Sequence, residues 1–307
     1  MVRQRWASMV KELLTTIRIS NLLILSLLYF SFEIFIQEKI IHSPFNFGSL
    51  NNYIIVLVTA AGGYVVNDLF DQKGDLLNNK RKFNWLSFNQ LAFLYGLLTL
   101  CSISLAFLLS NIAMQQITCI AIALLFLYSW KLQHWPVIGN LIVAALAAVA
   151  PLITLISHPE IAFIAKDPNT PLEELIDFIF ILIYALFAFL TTLTRELVKD
   201  MEDIEGDRAI GSKTLAVSAG IRFTKSITLF LFGLIALFVF ILWTDREEMH
   251  FSSFTSFAVF LLLFAPICIA AFKLYKANTT AQFHTVSNIV KFVFAGSIVV
   301  VILHSYT

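Results

Sequence analysis

Charge is scarce in this sequence. Asp, Glu, Lys and Arg make up 13% of 307 residues, against 59% hydrophobic. A soluble domain carries nearer a quarter charged residues, because it has a surface to solvate. The deficit excludes a wholly water-facing surface and leaves lipid as the surrounding medium. Cysteine is almost as rare: Cys101, Cys119 and Cys268 fall singly inside apolar runs, which excludes a disulfide framework and a cysteine zinc site. The net charge is only +1, so nothing in the total points to nucleic acid. A Gly-rich nucleotide loop is missing, as is the twelve-residue calcium loop of EF-hands. The first apolar run lacks a small-residue cleavage site, so no removable leader is expected. Alternating polarity of the kind a membrane barrel needs is also absent, which leaves helices to satisfy the backbone in lipid.

What is present is a series of apolar stretches long enough, or nearly so, to cross a hydrocarbon core of about 30 Å. The predicted spans are Ile17–Ile36, Leu50–Val66, Leu91–Leu109, Ile112–Trp130, Val137–Ile156, Leu175–Leu193, Ile227–Trp243, Phe254–Phe272 and Ile289–Leu303. Several are short and are expected to extend into their polar flanks. Lys and Arg placement tests the count. With the N-terminus in the cytoplasm, 17 of the 21 basic residues fall on the cytoplasmic side; Lys39, Lys166 and Arg246 fall opposite, and Lys291 lies within the last span. That is a strong positive-inside bias. The expected architecture is therefore an all-α membrane protein of nine transmembrane helices, a single domain over 1–307, with its N-terminus cytoplasmic.

Two polar segments on that inner face are related. Asn67-Asp-Leu-Phe-Asp-Gln-Lys-Gly-Asp75 recurs 132 positions later as Lys199-Asp-Met-Glu-Asp-Ile-Glu-Gly-Asp207. One follows the second span and the other the sixth, so the bundle carries an internal four-helix pseudo-repeat, with a site expected at the repeat interface. Asp68, Asp71 and Asp75 are spaced i, i+3, i+7, as are Asp200, Asp203 and Asp207. On a continuous helix each trio shares one face, and like charges so placed repel unless a cation sits among them. Hard carboxylate oxygens select Mg²⁺, with Mn²⁺ a substitute; Mg²⁺ takes one or two protein carboxylates and completes its shell with water and substrate phosphate. The expected ligands are Asn67, Asp68, Asp71, Asp75, Asp200, Asp203 and Asp207, gripping one diphosphate from two sides. An apolar interior with 30 Phe beneath such a clamp suggests an isoprenoid tail, and aromatic faces could shelter an allylic cation.

The pattern Asn67-Asp68-x-x-Asp71-x-x-x-Asp75, the second Asp203-x-x-x-Asp207 and the nine spans resemble the UbiA superfamily of intramembrane prenyltransferases over nearly the whole chain. Arg195-Glu-Leu-Val-Lys-Asp-Met-Glu-Asp-Ile-Glu-Gly-Asp207 and Ala61-Gly-Gly-Tyr-Val-Val-Asn-Asp68 are similar to the branch that includes digeranylgeranylglyceryl phosphate synthases. The resemblance implies Mg²⁺-assisted ionisation of a prenyl diphosphate and transfer of its carbon 1 to a lipophilic acceptor, a glycerol phosphate lipid or an aromatic quinone precursor. It implies catalytic roles for Asp71, Asp203 and Tyr128. Substrate contacts follow at Arg18, Asn21, Asn67, Lys73, Lys82, Lys131, Asn140, Arg195 and Lys199. Two departures stand out: the family's Pro and Arg after the first motif are Lys80 and Lys82 here, and a Lys often found five residues after the Tyr is Gln133. Lysine keeps the charge but loses the bidentate fork.

Two other classes remain open at this point: a transporter of an anionic or metal-bound solute, and a member that binds isoprenoid without catalysis. Glu33 and Lys291 are taken as the intramembrane ionisable residues, and each is expected near an interface. The carboxylates gather at one face rather than midplane, which favours the enzyme. The six His residues scatter over loops and helix ends and are expected at the surface. The expected location is the cell (inner) membrane, with the active site facing the cytoplasm. The acceptor and the oligomeric state are not fixed by the sequence.

Overall fold

The computed structural model describes residues 12–42, 49–77, 86–158, 161, 170–247 and 249–306, with the side chains of 72–77 outside that description. Among the described residues all regular structure is helical, and nine helices are long and apolar enough to cross a membrane. They are α1 (Ile19–Ile41), α2 (Leu50–Leu77), α3 (Phe88–Leu109), α4 (Ile112–Trp130), α5 (Ile138–Ser157), α6 (Leu172–Glu202), α7 (Ile221–Thr244), α8 (Ser253–Lys276) and α9 (Thr280–Ser305). Every predicted span is matched. Most run further at one or both ends, because a hydropathy window stops at the first polar residues while backbone hydrogen bonding does not.

Helix ends follow local chemistry. Ser87 caps α3 and is answered by Gln90, a capping box, and Asn111 accepts from Met114 N–H at the start of α4. These caps satisfy donors that have no partner within the helix. The side chains facing outward are large and apolar: Phe93 is 74% exposed and Leu108 79%. In water such a belt would be costly; in lipid it is the solvated surface.

Helix α6 is central, packing on α5, α7 and α9, while α2 packs on α3 and α4. The main core joins Phe32 and Phe35 of α1, Phe180 and Phe187 of α6 and Phe232 of α7. Gly296 lets α9 approach α8: a Cβ there would stand 3.0 Å from the Leu262 carbonyl oxygen. At the end of the bundle away from the Asp-rich segments, polar groups close on one another. Tyr29 bridges to Ser157 Oγ at 3.1 Å and donates to the Ser49 carbonyl, and Asn52 Nδ2 donates to Ser157 at 2.9 Å.

Burial refines one expectation and corrects another. Glu33, expected near an interface, is enclosed by neighbouring helices: it is fully buried, with His158 Nε2 at 2.7 Å and Gln37 donating at 2.7 Å. The histidines are not uniformly superficial, since His158 and His304 are buried, the latter between Phe35, Phe180 and Phe251. Sequence position near a helix end does not reveal that neighbouring helices cover it.

Candidate functional site

A cavity of about 670 Å³ lies among the described residues, and both Asp-rich segments contribute to its lining. Its walls come from α1, α2, α4, α5, α6 and α9. The cavity follows α4 from Tyr128 to Met114, fourteen residues, or about 21 Å at the helical rise. The Tyr128 end is polar and the Met114 end apolar. Beyond Met114 the floor is shut by packing of Tyr29, Ile55 and Ile153 and by the Tyr29–Ser157–Asn52 hydrogen bonds.

At the polar end, Asn67 and Asp71 project from α2 one helical turn apart. Asn67 Nδ2 donates to Asp71 Oδ2 at 2.7 Å, and Gln133 Nε2 donates to Asp71 Oδ1 at 2.5 Å. Asn67 also donates to Gln133 Oε1 at 3.0 Å, and Arg18 donates to Asn67 Oδ1 at 2.8 Å. The first half-site is therefore a connected polar network that holds Asp71 in one orientation. Arg18 has φ 50°, a left-handed backbone that non-glycine residues seldom adopt. Its guanidinium is anchored by Asn67 and lies 5.1 Å from the centre of the Tyr64 ring. Strain of this kind persists where surrounding contacts over-determine it.

The second half-site is built on α6. Asp200, Asp203 and Asp207 all line the cavity, and Asn140 Nδ2 donates to Asp200 Oδ2 at 2.8 Å. They do not share one continuous helix as expected. Helix α6 ends at Glu202, Asp203 has φ −97° and ψ 4°, and a short helix, Ile204–Ala209, follows. Thr214 Oγ1 donates to Asp207 Oδ2 at 3.2 Å. Glu196 takes Arg195 and Lys199, each at 2.9 Å.

A short turn, Leu132–His134, ties the halves together. His134 Nδ1 lies 2.6 Å from Ser212 Oγ, and Lys213 N–H donates to the His134 carbonyl at 2.8 Å. Gly139 is what lets this turn sit on the start of α5: a Cβ there would stand 2.8 Å from Gln133 Cα and 3.0 Å from the Leu132 carbonyl oxygen. The turn that carries Gln133 and the helix that carries Asn140 are thus positioned by one close approach.

Of the expected site residues, Arg18, Asn21, Asn67, Asp71, Tyr128, Asn140, Arg195, Lys199, Asp200, Asp203 and Asp207 all meet in this cavity. Asp68 does not line it. It is buried on another side of α2, with a carboxylate oxygen 3.7 Å from Arg18, because one residue's advance from Asn67 turns it about 100° around the helix. Lys131 is also outside, its ammonium 5.8 Å from the centre of the Trp135 ring. Lys73 and Asp75 fall on α2 where side chains lie outside the described residues, and Lys82 lies outside them altogether. Gln133, His134, Thr191 and Lys291 line the cavity without having been assigned a role from sequence. For Gln133 the signal was present as a departure from a family lysine; for Lys291 it was a charge inside a span.

The donor set suits Mg²⁺ bound together with phosphate. No three His, Cys, Asp or Glu side chains among the described residues form a ready-made metal cage. Mg²⁺ needs only one or two protein carboxylates when water and phosphate oxygens fill the rest of its shell, and five carboxylates line the walls here, Glu196 among them paired with Arg195 and Lys199.

Comparison with known proteins follows the same lines. The profile of the UbiA prenyltransferase family matches residues 42–292. A digeranylgeranylglyceryl phosphate synthase of Thermococcus gammatolerans is 34% identical over 172 residues, 55% of this chain and 56% of that protein. A synthase of the same name from Pyrococcus furiosus is 33% identical over 168 residues, 54% of each chain. The chain thus spans little more than half the length of the curated relatives it matches. Among solved structures, one from a study of digeranylgeranylglyceryl phosphate synthase in membranes aligns over 96% of this chain and 98% of the other, with a TM-score of 0.64 and 21% identity. A UbiA homologue of Archaeoglobus fulgidus, bound to DMAPP and Mg²⁺, aligns over 92% and 98%, with a TM-score of 0.59 and 16% identity. Likeness at that identity establishes the fold.

Proposed function

The chain belongs to the UbiA prenyltransferase family, and on that premise we propose that it transfers a prenyl group from a prenyl diphosphate to a lipophilic acceptor. The observation that carries this reading is the joining of two carboxylate-lined half-sites to one long cavity with an apolar end. The diphosphate lies between Asp71 on α2 and Asp200, Asp203 and Asp207 on and beyond α6. The tail runs along α4 toward Met114. These carboxylates would hold Mg²⁺, which would supply positive charge against the leaving diphosphate.

The chain's own residues divide the remaining work. Asn67, Gln133 and Asn140 fix the orientation of Asp71 and Asp200, so little reorganisation is required when charge develops. Lys199 and Arg18 contribute positive charge near the leaving group. Tyr128 and Tyr64 present aromatic faces to the carbon that loses its diphosphate, which favours a cation there. The C1–O bond breaks with its electron pair leaving on the diphosphate. An acceptor oxygen bonds to C1, and its proton passes to the departing diphosphate.

The relatives named digeranylgeranylglyceryl phosphate synthases favour a glycerol phosphate lipid as acceptor over an aromatic quinone precursor. The charge bias of the loops favours a cytoplasmic N-terminus and a cytoplasmic Asp-rich end. The test is prenyl transfer by purified protein from labelled geranylgeranyl diphosphate to an acceptor panel, with products identified by mass. Transfer that requires Mg²⁺ is expected. Undiminished transfer in excess EDTA would sink the metal role, and donor binding without any transfer would favour the non-catalytic alternative.

A further inference from the structure

Charges of both signs line the cavity. Asp71, Asp200, Asp203 and Asp207 gather with Arg18 and Lys199 at the polar end, while Arg195, Glu196 and Lys291 lie farther along α6 and α9. Glu202 and His284, 3.0 Å apart, set the register of these two antiparallel helices. Arg195 lies seven residues before Glu202, and Lys291 lies seven residues after His284. Both are thus about 10 Å from that rung, at the same level. A second contact, Tyr184 Oη to Ser297 Oγ at 2.7 Å, joins the same two helices deeper in the membrane.

Several polar groups around this level lack partners. Thr191, one turn from Arg195 on the same face of α6 and only 3% exposed, has a hydroxyl with no hydrogen bond. The Nε of Arg195 is buried and equally unpartnered. Lys291 forms no ion pair with any described carboxylate, and it is the twelfth of the 26 residues of α9, too central to reach an interface easily by snorkelling. Glu196 is already engaged by Arg195 and Lys199, which leaves Lys291 without a carboxylate of its own. Uncompensated charge inside a membrane span is expensive and marks function. Arg195 Nε–H and the Lys291 ammonium can only donate, and the Thr191 hydroxyl can donate as well, so an acceptor-only anion satisfies all three.

We infer that Thr191, Arg195 and Lys291 form a second anion subsite, which takes the phosphate head of the acceptor lipid rather than the diphosphate of the donor. Arg195 lies five residues from Asp200 along α6, about 8 Å. A short polar head can bridge that interval, with its phosphate held by the cations and its hydroxyl at the carboxylate end. The assignment rests on the prenyltransferase reading for its biological meaning, but its binding chemistry does not depend on turnover.

The experiment uses dodecyl phosphate and dodecanol as paired probes on the purified full chain, with geranylgeranyl diphosphate and Mg²⁺ as a separate donor-binding measurement. Wild type is expected to bind the phosphate at least about tenfold more tightly than the alcohol, the scale of a charge-assisted hydrogen bond. Lys291→Met should erase most of that preference with donor affinity unchanged, and Lys291→Arg should retain it. Should Lys291→Met fail to fold, Thr191→Val reads the same subsite through loss of the hydroxyl. Equal binding of both probes by wild type overturns the inference. So does a parallel loss of donor and dodecyl phosphate affinity in Lys291→Met, which would place the lysine in the donor site. A phosphate preference without prenyl transfer to any phosphate-headed lipid keeps the subsite and removes the enzymatic reading.

Discussion

The finest scale at which this protein can be tested is the orientation of Asp71. Two amides bind its two oxygens, so the carboxylate is fixed before any substrate arrives. Asp71→Ala and Asp203→Ala should each lower kcat/KM by about 10²-fold or more, the cost of losing one electrostatic contact to a transition state. Because both serve one ionisation step, the double variant should fall far short of the product of the two losses. Steady-state kinetics on the four proteins decides it. Simple multiplication of the losses would show two independent sites. Gln133→Ala leaves the carboxylates in place but frees Asp71. It should weaken donor binding by about tenfold, as loss of hydrogen bonds to a charged group does, measured by titration with donor and Mg²⁺. Here the sequence was legible in part. The Asp spacing pointed to the carboxylates, yet Asp68 and Asp71 look equivalent as letters. Only the rotation of α2 against α1 and α6 decides which of them meets the cavity.

At the scale of the element, the turn Leu132–His134 and the start of α5 stand or fall together. Gly139→Ala would press a methyl group onto Gln133 Cα and the Leu132 carbonyl, atoms that cannot rotate away. A loss of about 1–3 kcal/mol is expected from such overpacking, together with reduced activity as Gln133 shifts. Gly211→Ala is the contrast. Its φ is +77° but a Cβ there meets nothing within 4 Å, so a strain of about 1 kcal/mol without steric displacement is expected. Thermal unfolding in detergent, set beside activity, separates the two: only the first should lose activity beyond its loss of stability. Helix existence was readable from hydropathy, which is why all nine spans are matched. The turn of the chain at Asp203 was not, because its hydrogen bonding nearly continues the helix, Asp203 N–H to the Lys199 carbonyl at 2.8 Å. A spacing rule cannot register so local a break. Nor could sequence show that Glu33 and His158, 125 positions apart, meet in the core.

For the whole molecule, the loop charges predict an orientation that labelling can check. In a background lacking Cys101, Cys119 and Cys268, Arg208→Cys should react with an impermeant thiol reagent only from the cytoplasmic side, and Glu247→Cys only from the other. The reverse pattern would invert the molecule. The closed floor beneath Met114 carries a different consequence, one of kinetic order. A blind-ended chamber fills from its far end, so a tail destined for that end has to enter before anything occupies the space nearer the carboxylates. The donor should therefore bind first and the acceptor second, and the elongated product should compete with the donor. Acceptor in excess should obstruct the free protein and slow turnover, visible as substrate inhibition that more donor relieves. Measured inhibition by acceptor that is indifferent to donor concentration would instead require a second way in.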